Sequence, residues 1–346
     1  MSTPNHDLAS LARTLVAPGR GLLAADESTG TIEKRLRSVG VESTAETRRA
    51  YRELLCSAPG LGEFISGVIL FDETLRQKAA DGMPLVEVLC RQGIVPGIKV
   101  DQGAKPLAGF PGDKVTEGLD GLCERLAEYR GLGARFTKWR AVIAIGPGRP
   151  TPTGLEANAH ALARFAALSQ EAGLVPIVEP EVLMDGDHSI ERHYDVTEAM
   201  LQATFRALFA HRVAPEAMLL KPNMVLSGSD AAHQADTEQV AALTLRVLRG
   251  AVPPAVPGIV FLSGGQDEVT ATRHLDAINR LGGAPWALSF SFGRALQATA
   301  LKTWAGRAAN VAAAQAALLH RARCNGAARA GHYGYAMETG AGRDYH

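Results

Sequence analysis

Three lysines stand at or near the ends of short apolar runs, a place where lysine is seldom found without a partner or a task. The stretch AMLLKPNM closes on Lys221 with Pro222 directly behind it, GIKVD places Lys99, and FTKWRAV carries Lys138 and Arg140. Carboxylates occupy the matching places in other runs: Asp26 in LLAADES, Asp72 in VILFDE, Asp101 in GIKVD, and Glu179 and Glu181 in VPIVEPE. Proline cannot continue a hydrogen-bonded ladder, so Lys221 is left at the mouth of its strand. An amine among carboxylates is equipment for imine chemistry. A neutral lysine attacks a ketone, the Schiff base becomes an electron sink, and a carboxyl group shuttles the protons of dehydration and hydrolysis. Desolvation and a neighbouring ammonium both favour the neutral amine, with Lys138 the expected neighbour and Glu179 the expected proton carrier. Two further stretches, Ser263-Gly264-Gly265 and Ser291-Phe292-Gly293-Arg294, offer backbone N–H groups and a guanidinium suited to phosphate. The residues thus describe a Schiff-base enzyme for a phosphorylated ketone. Solvated ion pairs at strand ends are the competing explanation. For Asp72 and Asp101 that explanation is preferred, as caps of the following helix.

Such a set works only if one architecture brings it together. Eight short, non-alternating apolar runs centre near Leu22, Val68, Ile98, Phe136, Ile177, Leu219, Val260 and Leu288, as expected of strands buried on both faces of a parallel sheet. Helical patterns lie between them. Leu119, Leu122, Leu126 and Tyr129 keep helical spacing, Leu201, Phe205, Leu208 and Phe209 form one stripe, and 154–172 and 307–324 are rich in strong helix formers. Alternation of this kind predicts an α/β fold, a (β/α)8 TIM barrel with added helices at both termini and its site at the carboxyl ends of the strands. No G-x-G-x-x-G follows the first run, which counts against an open dinucleotide-binding sheet. The barrel domain is expected over 1–324. Residues 325–346, rich in Gly and Ala and without period, read as a mobile tail.

Composition narrows the class further. In 346 residues, 46% hydrophobic and 21% charged, Lys+Arg and Asp+Glu are each 36, so the clustered basic excess of a nucleic-acid binder is missing. No apolar stretch is long enough to span a bilayer, and the first residues lack the apolar core of a signal peptide. Cys56, Cys90, Cys123 and Cys324 form no C-x-x-C and show no metal-ligand spacing to histidine, which reads as reduced thiols in a cytoplasmic protein. His188 and His193 are five apart, off the i, i+4 pattern of a helical zinc site, and His211, His233 and His274 are isolated. No metal and no cofactor are expected.

Taken in order, LLAADESTGTIEKRL, GIKVDQGAKPLAG, GLDGLCERLAEY, FTKWRAV, VPIVEPE, LLKPNMV, VPPAVPGIVFLSGGQ and WALSFSFGRALQ resemble the motifs of the class I fructose-1,6-bisphosphate aldolases over nearly the whole chain. The resemblance implies cleavage of fructose 1,6-bisphosphate to dihydroxyacetone phosphate and glyceraldehyde 3-phosphate through a Schiff base on Lys221. It implies Glu179 as general acid/base, Asp26 as the group that orients the lysine and helps deprotonate the C4 hydroxyl, and Lys138 as a source of positive charge. Glu181 would support Lys138 or Lys221. Ser263, Gly264, Gly265, Ser291, Gly293 and Arg294 would bind the 1-phosphate. Arg35, Ser28, Thr31 and Lys99 would serve the 6-phosphate at the opposite end, with Arg140 also in contact with substrate. A metal-independent homotetramer of glycolysis and gluconeogenesis is implied, with a sugar phosphate as its small-molecule partner. The chain departs from the pattern at Gln102, Thr31 and Phe292, and at the tail, where Tyr345 is penultimate and His346 last. The family's terminal tyrosine assists proton exchange, so Tyr345 is the candidate for that role. A different Schiff-base barrel, of transaldolase or keto-acid-lyase type, and a sugar-phosphate-binding scaffold are the alternatives.

Overall fold

Each of the eight apolar runs forms a strand, because a segment hydrophobic on both sides must be covered on both sides. In the computed structural model, which describes residues 4–339, these are β1 (Gly21–Ala25), β2 (Ile65–Leu70), β3 (Val95–Lys99), β4 (Phe136–Ile143), β5 (Val175–Val182), β6 (Leu219–Leu220), β7 (Gly258–Phe261) and β8 (Ala287–Phe292). They pair in parallel into one closed barrel of order β1-β8-β7-β6-β5-β4-β3-β2. Closure comes from Leu22 and Leu23 of β1 in register with Ser291 and Phe292 of β8. Every residue of β1, β2, β5 and β7 is buried.

Helices cover the barrel and begin where their caps say they should. Thr44 and Asp236 close capping boxes with Thr47 and Gln239, and Thr151 accepts from the Gly154 N–H with Pro152 in the first turn. The lumen near the amino ends of the strands is filled by Leu22, Ile69, Phe136, Ile177, Leu219 and Val260. Leu8, Ala12 and Leu15 of the helix Pro4–Leu15 plug it from below. Phe136 needs the room that Gly97 leaves: a Cβ on Gly97 would sit 2.2 Å from its ring. The lower lumen is therefore packed with apolar side chains, and the polar side chains gather at the opposite end.

Two expectations need correction. The last long helix runs Val311–Arg329, so the segment expected as tail from residue 325 begins inside it. Asn325 is fully buried, with its Oδ1 accepting from the Thr272 hydroxyl at 2.6 Å, and Arg329 donates to the carbonyls of Val16, Ala17 and Arg20. At this end of the chain only residues 340–346 lie outside the described structure, and Tyr345 is among them. In the helix Ile190–Ala210, Leu201 and Leu208 are buried, but Phe209 is 87% exposed. One helical step of about 100° past Leu208 turns it off the covered face.

Candidate active site

A cavity of about 630 Å³ opens at the carboxyl ends of the strands. It is lined by every described residue that the sequence marked for catalysis or substrate contact: Lys221, Glu179, Asp26, Lys138, Glu181, Arg35, Ser28, Thr31, Lys99, Arg140, Ser263, Gly264, Gly265, Ser291, Gly293 and Arg294. The pleat explains how. Lys138 and Arg140 are two apart on β4, as Glu179 and Glu181 are on β5, so each pair faces the same side. Register sets Lys99 beside Lys138 and Arg140 beside Glu179. Lys221 follows directly on the short β6, anchored by its N–H to the Val178 carbonyl at 2.8 Å. Pro222 accepts from the Leu262 N–H at 3.1 Å and so ties this turn to the end of β7.

At the centre are two amines and two carboxylates. Lys138 Nζ lies 2.7 Å from Asp26 Oδ2 and 3.2 Å from Glu179 Oε2, while Lys221 Nζ lies 3.2 Å from Glu179 Oε1. Lys138, Lys221 and Glu179 are each only 3% exposed, so these charges are stable there only because they are matched. Burial alone would raise Asp26, but the Lys138 and Lys221 ammonium groups outweigh it and hold the carboxyl far below its usual range. Burial is likewise overcome at Glu179, which Lys138, Lys221 and Arg140 lower. Lys138 moves the other way: burial opposes its charge, yet Asp26 and Glu179 keep it protonated well beyond an ordinary lysine. Lys138 therefore does not stand as a bare ammonium beside Lys221, as the sequence suggested. Its charge is taken up by two acids, and Glu179 lies between the amines, within reach of both. Glu179 Oε2 has no aligned hydrogen-bond donor.

Glu181 is placed differently from expectation. It pairs with Arg140 rather than with Lys138 or Lys221. Asp101 does not cap a helix. It holds Lys99 Nζ at 2.9 Å, accepts from the Gly103 N–H and receives the Arg140 N–H at 3.1 Å, which knits the ends of β3 and β4. Asp72 lies in the first turn of the helix Asp72–Arg76, where it pairs with Arg76 and stays out of the cavity.

The phosphate-type groups also divide differently. Loops after β7 and β8 bring together Ser263, Gly264, Gly265, Ser291 and the start of the helix Arg294–Trp304. Gly265 has φ +96°, and a Cβ there would press on Met184 Sδ at 3.0 Å, so glycine is required for this loop shape. Ser291 Oγ is buried without a hydrogen-bond partner, an open donor beside the cavity. Arg35 was expected at the far end. Instead its Nη2 lies 3.9 Å from where a Cβ of Gly293 would be, because β1 and β8 are neighbours. Ser28 and Thr31 hydroxyls meet at 3.1 Å on the same side. In the closed strand order β3 and β4 face β7 and β8 across the mouth, so Lys99 and Arg140 form the opposite cationic end.

Sequence reasoning missed the support behind Arg35. Glu27 takes Arg35 on one oxygen and the fully buried Arg52 on the other at 2.6 Å, and Gln297 bridges Glu27 to the Ala24 carbonyl. The sequence reading named Asp26 and passed over Glu27 beside it. Only the return of the helix Ala45–Cys56 shows that Glu27 aims an arginine.

The family model for class-I fructose-bisphosphate aldolase matches residues 7–345. The chain belongs to the class-I fructose-bisphosphate aldolase family. It is accordingly an enzyme of the lyase class. A probable fructose-bisphosphate aldolase class 1 of Xanthomonas campestris is 57% identical over 94% of this chain and 98% of its own length. A fructose-bisphosphate aldolase of Dictyostelium discoideum is 52% identical over 96% and 94%. Among solved structures, the Plasmodium falciparum fructose-bisphosphate aldolase in a ternary complex with TRAP and a small-molecule inhibitor superposes with a TM-score of 0.95. It is 50% identical and covers 96% of each chain. The aldolase fold and the barrel found here thus agree over 96% of the chain.

Proposed function

We propose that this aldolase cleaves fructose 1,6-bisphosphate through an imine on Lys221, with Glu179, Asp26 and Lys138 as its proton and charge machinery. The observation that carries the reading is the buried quartet itself: Glu179 within 3.2 Å of both amines, Asp26 on the far side of Lys138, and cationic groups on opposite rims. Glu179 takes a proton from the Lys221 ammonium, the freed amine attacks the C2 ketone, and Glu179 returns that proton to the departing hydroxyl to give water and the iminium. Asp26 takes the C4 hydroxyl proton, the C3–C4 bond breaks, and its electron pair neutralises the iminium as an enamine. Glyceraldehyde 3-phosphate leaves first. Protonation at C3 and hydrolysis, with Glu179 now the base, release dihydroxyacetone phosphate. Lys138 keeps both acids ionised between these steps. The β7/β8 rim, with Arg35 and Arg294, suits one phosphate, and Lys99 with Arg140 suits the other. Family resemblance supports a role in glycolysis and gluconeogenesis, and assembly as a cytoplasmic homotetramer. Among the described residues no helix is long and apolar enough to cross a membrane, although some relatives are chloroplastic proteins.

The test is chemical. The protein is mixed with dihydroxyacetone phosphate, reduced with borohydride, digested and read by mass spectrometry. A stable adduct on Lys221, lost together with cleavage activity in Lys221→Met, is the expected result. Turnover by Lys221→Met, or an adduct on another lysine, would refute the assignment.

A further inference from the structure

Away from the barrel mouth, the chain folds back on its last long helix and brings three different metal-ligand chemistries together. His320 and Cys324 are four residues apart on the helix Val311–Arg329 and share one face. Cys324 Sγ lies 3.7 Å from His320 Nε2. The turn Tyr335–Met337 returns Glu338, whose Oε2 is 4.0 Å from the same nitrogen. Imidazole nitrogen, sulfur and carboxylate oxygen all lie within 4.8 Å of one another. We propose that His320, Cys324 and Glu338 form a binding site for a divalent cation of borderline softness, with zinc the best match.

Ligand spacing supports the choice. Tetrahedral zinc, with bonds of about 2.3 Å to sulfur and roughly 2.0–2.2 Å to nitrogen or oxygen, sets neighbouring ligand atoms about 3.3–3.6 Å apart. The observed 3.7 and 4.0 Å exceed this by tenths of an ångström, within the reach of small side-chain rotations. Glu338 is already aimed. Arg321 donates to Oε1 at 2.7 Å and to Oε2 at 2.6 Å, and the Tyr333 hydroxyl adds a second donor to Oε1 at 2.8 Å. Oε2, the oxygen toward His320, therefore keeps a lone pair. Outer hydrogen bonds of this kind orient ligand carboxylates in metal sites. His320 is 44% exposed, which leaves an approach from solvent and a fourth position for water. The Arg321 charge works against a cation, so this site is weaker than a closed structural zinc site.

The sequence reading found no cysteine at a metal-ligand spacing from histidine. His320–Cys324 is such a pair, and its third member becomes visible only when the chain folds back. A bound cation would join the helix to Glu338 and clamp the base of the segment that leads to Tyr345. None of the three residues lines the cavity at the barrel mouth.

The test uses the full chain, stripped with chelator, titrated with Zn²⁺ in competition with a chromophoric chelator and separately with Co²⁺. Wild type is expected to hold one equivalent of Zn²⁺ and to show a thiolate-to-cobalt charge-transfer band. Cys324→Ser is expected to lose that band, and both Cys324→Ser and His320→Gln are expected to bind Zn²⁺ about tenfold or more weakly. In metal-free buffer both variants should cleave substrate as wild type does. The exposed His320 keeps the test decisive if the buried Cys324 proves intolerant. No uptake by wild type, equal uptake by wild type and His320→Gln, or a cobalt spectrum without the thiolate band would overturn the proposal.

Discussion

Replacing Lys138 by methionine removes the cation that two buried acids share while nearly keeping the side-chain volume. At 2.7 and 3.2 Å, and with the effective dielectric of about 20 that suits such sites, the two attractions are about 6 and about 5 kcal/mol gross. Much of this is offset by the cost of dehydrating the ammonium, which the variant no longer bears. Breaking a buried pair from one side typically leaves a net loss of about 3–5 kcal/mol, and that is the expected fall in unfolding free energy at pH 7. The pH dependence is sharper still. In the wild type Asp26 is held below its unfolded value, so its contribution is fully present above about pH 4 and is lost as the pH falls further. Without Lys138, burial is less opposed and the folded Asp26 carboxyl rises above its unfolded value. The folded variant then binds a proton more readily than the unfolded chain, and gains stability as the pH falls. Urea unfolding at pH 7 and pH 5 should therefore show a deficit that narrows at the lower pH. A variant within about 1 kcal/mol of wild type at pH 7, or a deficit that is the same or larger at pH 5, would refute the account of the quartet. Adding Asp26→Asn to Lys138→Met removes a charge pair and should recover part of the loss, as a double-mutant cycle would record.

Other perturbations separate the parts of the site. Arg294→Ala should raise KM for the bisphosphate by roughly 10- to 150-fold, about 1.5–3 kcal/mol for an exposed charge-assisted contact, and an unchanged KM would remove Arg294 from the phosphate site. Arg52→Met leaves buried Glu27 with Arg35 alone. It should cost about 3–5 kcal/mol in urea unfolding, and Arg52→Met with Glu27→Gln should cost less than Arg52→Met by itself. Truncation after Asp344 removes Tyr345 and His346; if Tyr345 carries the C3 proton, turnover and solvent exchange into dihydroxyacetone phosphate slow while borohydride trapping on Lys221 persists. Equal exchange rates in the truncated and full chains would exclude that role.

The barrel was legible because its strands are written twice, as apolar runs and as the polar residue that ends each run. Lys221-Pro222 is the plainest case: a strand of two residues, Leu219–Leu220, was found from the break that follows it. What could not be read was partnership between residues distant in sequence. The resemblance gave Glu181 to the central amines, but it stands one pleat beyond Glu179 on the same face, and the Arg140 side chain turns from its register neighbour Glu179 to pair with it. The resemblance sent Arg35 to the far rim, away from Arg294. Ring closure makes first and last strands neighbours, which no linear pattern announces. The tail boundary failed for a related reason. The Gly- and Ala-rich stretch from residue 325 looks unstructured by composition, yet small residues are what let a helix end pack closely, as Gly326 does 2.7 Å (measured to a Cβ it lacks) from the Gly19 carbonyl.

Charge pairing at the mouth also bears on how substrate is chosen. Six cations line the cavity, and five already have a carboxylate: Lys138 and Lys221 share Glu179, Lys99 has Asp101, Arg140 has Glu181, and Arg35 has Glu27. Among the described residues Arg294 alone of the six forms no ion pair, so it can meet an incoming phosphate without first giving up a partner. An arriving anion must compete with Glu181 for Arg140 and with Asp101 for Lys99, and a phosphate dianion does so better than a carboxylate of single charge. The β7/β8 rim is thus the stronger anchor and the β3/β4 rim the more selective one. A ligand with one phosphate should seat on the Arg294 side and leave the far rim paired. On the proposed assignment, a bisphosphate that spans the mouth would engage both, with its ketone carbon toward the central amines.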